Sequence, residues 1–108
     1  MTVTLPPPIQ TFFDATNTED RATFLSAFAP DGIIDDWGRE FHGHDAIGHW
    51  NDTENIGTHT RFEVTAITSP TPNTYVVTAT VTGGGFNGPS YFTFTLANSQ
   101  ITRMTITA

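Results

Sequence analysis

The sequence predicts an α+β fold: a cone-shaped, curved antiparallel β-sheet wrapped around three N-terminal helices, in the order α-α-β-β-α-β-β-β-β. Three observations predict it. Apolar residues near the start recur at helical spacing, with Ile9, Phe12, Phe13 and Thr16 on one stripe. From Arg61 onward the pattern changes to alternation with period two, as in Phe62, Val64 and Ala66 against Arg61, Glu63 and Thr65. The helices cannot bury their stripes on one another and also cover a hairpin sheet unless the sheet curves around them.

Taken in order, Met1 to Pro8 is a short arm, and Pro6-Pro7-Pro8 is stiff and extended. Pro8 suits the first position of a helix, where no amide donor is needed. Asn17 is the expected cap of a second helix, with Glu19 and Asp20 in its first turn and Phe24, Leu25 and Phe28 as its buried face. Pro30-Asp31-Gly32 is expected to end that helix beyond Phe28. Ile33-Ile34 starts a strand, Gly38 turns it, and Arg39 to His42 forms the second strand. Gly43 admits a third helix of about ten residues, from near Asp45 to a stop at Gly57, with Ile47 and Trp50 on one face. Ser69 to Asn73 is a turn. Tyr75 to Val81 is a long strand ending in Gly83-Gly84-Gly85. Tyr91 to Leu96 alternates again with Phe92, Phe94 and Leu96 on one face. Asn98-Ser99 makes a hairpin turn, and Ile101 to Ile106 closes the sheet. Thr78, Thr80, Thr82, Thr93 and Thr95 make the other sheet face, where a β-branched hydroxyl tolerates water.

The chain's 108 residues fit one domain over 1–108, and a domain of this size buries roughly 65% of its unfolded surface. Nine Phe, two Trp and two Tyr supply bulky filling. Four Lys+Arg against eleven Asp+Glu give a net charge of -7, and that charge argues against nucleic acid and anionic lipid as partners. There is no cysteine, which excludes disulfides and thiolate chemistry, and no lysine, which excludes a Schiff base. No leader pattern or bilayer-length apolar run is present, so the expected location is cytoplasmic, without a membrane partner. The glycine run before Gly88 lacks the Lys and Ser/Thr of a phosphate loop, and no cofactor is called for.

The stretches F-A-P-D-G-I-I-D-D (28–36), G-R-E-F-H-G-H-D-A-I-G-H-W (38–50) and F-T-F-T-L-A-N-S-Q-I-T-R-M (92–104) resemble the nuclear transport factor 2-like superfamily. They look most like its small bacterial SnoaL-like proteins, relatives of ketosteroid isomerases and polyketide cyclases. The resemblance runs from about Leu5 to Ile106. It implies a homodimer and a pocket between sheet and helices for a small hydrophobic molecule. In the isomerases the general-base aspartate ends the strand after the second helix, and in that register it falls on Asp36. The isomerase's helix-one tyrosine falls near Phe12 and its late-strand aspartic acid near Ser90, so neither oxyanion donor carries over.

Asp36 also stands out from the residues alone. It shares a strand face with Ile34, so burying Ile34 turns Asp36 inward, where an apolar pocket makes a carboxylate a better base. The competing role is a cap on a backbone amide at the turn before Gly38, with Asp35 on the opposite face, and a register slip would exchange the two. Trp50 is either plain core or a pocket wall with its indole N–H aimed at a ligand. Trp37 is a rim residue or a dimer contact. His59 is either a surface histidine or the partner of Asp36 in a dehydratase-like acid–base pair. Phe12, Phe41, Trp50 and Tyr75 are the expected substrate-binding residues, Tyr75 being in phase with inward-facing Val77, Ala79 and Val81. His42 and His44 form an H-x-H, but Gly43 bends the chain between them, and no metal is expected. Two functions follow: Asp-based general acid–base chemistry of isomerase, cyclase or dehydratase type, or a non-enzymatic binding or dimeric assembly module.

Overall fold

The computed structural model describes residues 4–108; Met1 to Val3, the start of the predicted arm, lie outside the described residues. Helices α1 (Pro7–Asn17) and α2 (Arg21–Ser26) precede strands β1 (Phe28–Asp36) and β2 (Arg39–His42). Helix α3 (Gly43–Glu54) and a 3-10 turn (Ile56–Thr58) lead to β3 (Arg61–Thr71), β4 (Thr74–Thr82), β5 (Gly88–Ala97) and β6 (Gln100–Thr107). The element order is the expected one. The six strands form one sheet in the order β2-β1-β6-β5-β4-β3. After the β1–β2 hairpin, α3 carries the chain to the far edge, and four strands meander back until β6 lies beside β1. That last pairing is parallel, with Ile34 against Met104, so the sheet is mixed.

The α1 stripe is buried as its spacing requires: Ile9, Phe12 and Thr16 are fully buried and Phe13 nearly so. Phe12 is the hub of the aromatic core. Its ring lies 4.9 Å from Phe13, 5.4 Å from Phe24, 5.6 Å from Phe94 and 5.7 Å from Phe62, centroid to centroid. Edge-to-face contacts at such distances add to the burial term. The opposite sheet face carries the threonines, and Tyr91 stands 48% exposed among them.

Local expectations are corrected at three points. The cap of α2 is Asp20, whose Oδ1 accepts from the Thr23 amide at 3.2 Å. Asn17 remains in α1, where its amide brackets Phe62 like a strand partner, donating to the carbonyl at 3.0 Å and accepting from the amide at 2.8 Å. Phe28 is already in β1, because Ile101 donates to the Ala27 carbonyl at 2.8 Å and draws the chain into the sheet. Pro30-Asp31-Gly32 then forms a bulge inside β1: Phe28 faces Ile101 and Ile33 faces Arg103, leaving the intervening residues unpaired.

Candidate functional site

Between α3, the 3-10 turn and the concave sheet face lies a cavity of about 420 Å³, within the roughly 300–1,000 Å³ range of ligand sites. Its apolar walls are Trp50, Phe62, Val81, Phe92 and Ile106, with Trp37 and Phe86 at the rim, 61% and 53% exposed.

Asp36 lines this cavity from the end of β1. Period-two alternation with buried Ile34 turns it inward, and its side chain is 13% exposed. Both of its hydrogen bonds fall on one oxygen: Trp50 Nε1 donates to Oδ2 at 3.1 Å and Arg39 Nη2 to the same atom at 2.6 Å. Among the described residues nothing donates to Oδ1. The amide cap at the turn belongs instead to Asp35, on the other face, whose Oδ1 accepts from Gly38 N at 2.8 Å while Oδ2 accepts from Arg103.

Arg39 bridges two carboxylates at the mouth. Its fork donates to Glu54 through Nη1 at 2.9 Å and Nη2 at 2.6 Å, in addition to Asp36. The Glu54 carboxylate, and after it Asp36, push the guanidinium still higher than its ordinary range, against the opposing effect of burial. The two-residue turn Trp37-Gly38, both at positive φ, sets Asp36 and Arg39 opposite each other in the hairpin. D-W-G-R is the sequence signal that could have identified Arg39. Glu54 gave none, because it reaches the mouth only through the packing of α3.

Four hydroxyl residues, Thr53, Thr58, Thr60 and Ser90, and the amide of Asn55 complete the wall. Thr60 and Ser90 are 5% and 3% exposed and Asn55 is 1% exposed, and all three line the cavity. Of these, only Ser90 fell under a position singled out from the sequence.

The remaining expected site residues lie elsewhere. His59 is outside the cavity: the 3-10 turn points Thr58 and Thr60 inward, and His59 between them, at φ 55°, points out. Its side chain is 77% exposed and its Nδ1 lies 3.3 Å from Glu19. Tyr75 has the expected phase but sits at the other end of β4, about 20 Å of strand from Val81, in a shallow groove with Leu5 and Ile67. Phe12 is core, and Phe41 is half-buried on β2, its ring 5.7 Å beneath the Arg39 guanidinium carbon. His42 contacts Glu40, and His44 contacts the Phe28 carbonyl. Among the described residues no three His, Asp or Glu side chains converge as metal ligands.

The model of the SnoaL-like domain matches residues 9–104. A Sinorhizobium meliloti protein provisionally assigned as a polyketide cyclase is 27% identical, covering 95% of both chains with a TM-score of 0.87. A Mycobacterium tuberculosis protein solved with estradiol-17β-hemisuccinate is 21% identical over 94% of this chain and 91% of its own, with a TM-score of 0.81. A computationally designed 17-OHP binder shares the fold at a TM-score of 0.80, with 20% identity over 94% of this chain and 88% of its own. No curated protein matches the sequence.

Proposed function

The chain belongs to the SnoaL-like domain family, within the nuclear transport factor 2-like superfamily, and on that premise we propose that its cavity binds a small hydrophobic molecule on which Asp36 acts as general base. The observation that carries the reading is the asymmetry of the Asp36 carboxylate. Oδ2 is fixed by Trp50 and Arg39, so the lone pairs left for a substrate proton are those of Oδ1. The proton moves from the bound molecule, or from a water beside it, to Oδ1. The Ser90 hydroxyl lines the same cavity and is free to donate to the charge that develops. The apolar walls suit a ring-shaped ligand, in line with the steroid derivative carried by the Mycobacterium relative. Proton transfer of isomerase, cyclase or dehydratase type fits this arrangement.

One observation favours a second reading, a binding module without chemistry. Arg39 holds the Asp36 carboxylate at 2.6 Å and bridges it to Glu54, an arrangement that a purely structural ion-pair network at the mouth also produces. The test is binding of small cyclic alcohols, ketones and phenols, read by Trp50 indole shifts, followed by proton exchange into deuterated water with Asp36→Asn as control. Exchange in the native chain that the variant loses supports the general base. Binding without exchange in either chain leaves the binding module, and no indole shift with any compound removes both readings.

A further inference from the structure

Given the cavity as the binding site proposed above, we infer that its ligand is a proton donor. It is a hydroxylated or amine-bearing ring compound, neutral or cationic, taken in preference to the matching ketone or carboxylate. The polar groups of the buried wall are acceptors almost throughout. Asp36 offers Oδ1, which only accepts. Asn55 is fixed by its neighbours. The Thr16 hydroxyl donates to the Phe12 carbonyl at 2.9 Å, so Thr16 Oγ1 must accept from Asn55, and the atom 3.0 Å from it is Nδ2. The second Nδ2 hydrogen goes to Asn51 Oδ1 at 2.9 Å. Asn55 therefore has only Oδ1 left to offer.

Thr60 reaches the same state by a different route. Thr58 Oγ1 lies 3.0 Å from the Asn55 carbonyl oxygen, which accepts its proton, and 2.9 Å from Thr60 Oγ1. The assignment that uses both contacts has Thr60 donating to Thr58, and Thr60 keeps lone pairs alone. Ser90, 3% exposed and without a hydrogen-bond partner among the described residues, is the one hydroxyl in this wall with a free proton. At the mouth the Asp36 and Glu54 carboxylates face the single Arg39 guanidinium, which gives them three of its five N–H groups and keeps Nε–H and one Nη1–H at the solvent-exposed rim, outside the buried wall. The local balance is negative, on a chain of net charge -7. Within the buried wall a ketone would set lone pairs against lone pairs everywhere but at Ser90, and a carboxylate would meet two carboxylates for one guanidinium at the mouth. Sites built to pair a ligand hydroxyl or amine discriminate strongly against analogues that lack it.

The experiment is a titration of the full chain with four compounds on one scaffold: 2-tetralol, 2-aminotetralin, 2-tetralone and tetralin-2-carboxylate, read by the Trp50 indole N–H resonance. The alcohol and the amine are expected to bind about ten-fold tighter or more than the ketone and the carboxylate. Ketone or carboxylate binding as tight as the alcohol overturns the ligand class and leaves the cavity as a binding site. A flat titration with all four overturns the cavity reading and the ligand class with it. Two variants move the preference in opposite directions. Thr60→Val removes an acceptor and narrows the alcohol-to-ketone ratio by about three-fold or more, whereas Ser90→Ala removes the one free hydroxyl donor of the wall and widens it by a similar factor. A ratio unchanged in both overturns the assignment of donors and acceptors.

Discussion

The indole of Trp50 donates to Oδ2 of Asp36 at 3.1 Å, tying the middle of α3 to the end of β1. Both partners are largely out of water, Trp50 at 3% and the Asp36 side chain at 13% exposure. The bond therefore acts in a medium where a missing partner is costly. It also selects which carboxylate oxygen meets the cavity, because Arg39 converges on the same atom.

Trp50→Phe keeps most of the apolar wall and removes the donor. Loss of a hydrogen bond to a charged acceptor, with a small void in place of the larger ring, is expected to lower stability by about 2–3 kcal/mol. Urea unfolding measures this. The same variant frees Asp36 to turn, so ligand affinity should fall as well. A variant as stable as the native chain would mean that the indole–carboxylate bond contributes nothing net.

Acid should destabilise the fold through three surface carboxylates. Arg61 first and then His59 hold Glu19 below its ordinary 4.5, Arg103 and then His42 do the same for Glu40, and the Thr23 hydroxyl and amide lower Asp20 from 3.8. A carboxylate lowered in the folded state stabilises it fully above the ordinary value and loses that contribution as pH falls through the folded one. The urea midpoint should therefore hold steady on this account down to about pH 5 and decline below it. Glu19→Gln should make that decline shallower. A decline of the same steepness in the variant would show that the Glu19 pairs do not contribute.

Helix α2 has only six residues and depends on its cap. Asp20 accepts from the Thr23 amide through Oδ1 at 3.2 Å and from its hydroxyl through Oδ2 at 2.7 Å. Asp20→Ala should cost about 1 kcal/mol and Asp20→Asn clearly less, since asparagine is an equally good cap. Equal losses in the two variants would point to charge rather than capping.

What could be read from the chain follows from which physics is local. The stripe of Ile9, Phe12, Phe13 and Thr16 needs only the helical period, and it is buried as expected. Period two puts Asp36 on the face of buried Ile34, where it lines the cavity, and the slip at the turn that would exchange it with Asp35 does not occur. His59 could not be placed this way. It lies after a 3-10 turn and has φ 55°, so neither the helical nor the strand period carries across it. Tyr75 shows the complementary limit: phase tells which face a residue takes but not which end of the cone. Pro30 reads as a breaker, but pairing of Phe28 with Ile101 from the far end of the chain keeps this stretch in the sheet as a bulge. Glu54 and Asn55 reach the cavity beside Arg39 only when α3 is laid across the sheet, and spacing in the sequence carries no trace of that.

The last turn before β3 should tolerate no side chain at Gly57. A Cβ there would stand 1.6 Å from the Asp52 carbonyl oxygen and 2.5 Å from its carbon, both backbone atoms of α3 that no rotamer change can move aside. Gly57→Ala must displace the C-terminal turn of α3 or the 3-10 turn, and such overpacking costs about 3 kcal/mol. The displacement falls on Asn55, whose carbonyl accepts from the amides of Thr58 and Thr60 at 3.1 and 3.2 Å, so the polar wall of the cavity should move with it. Gly38→Ala is the control. At Gly38 nothing lies within 4 Å of a Cβ, and only the positive φ of 89° opposes alanine, at about 1 kcal/mol. Urea unfolding with Trp50 indole shifts should show Gly57→Ala perturbing both stability and the cavity, and Gly38→Ala perturbing mainly stability. If Gly57→Ala were as stable as Gly38→Ala, with an unchanged Trp50 resonance, the turn would be free to give way and the Asn55–Thr60 wall would not be rigid.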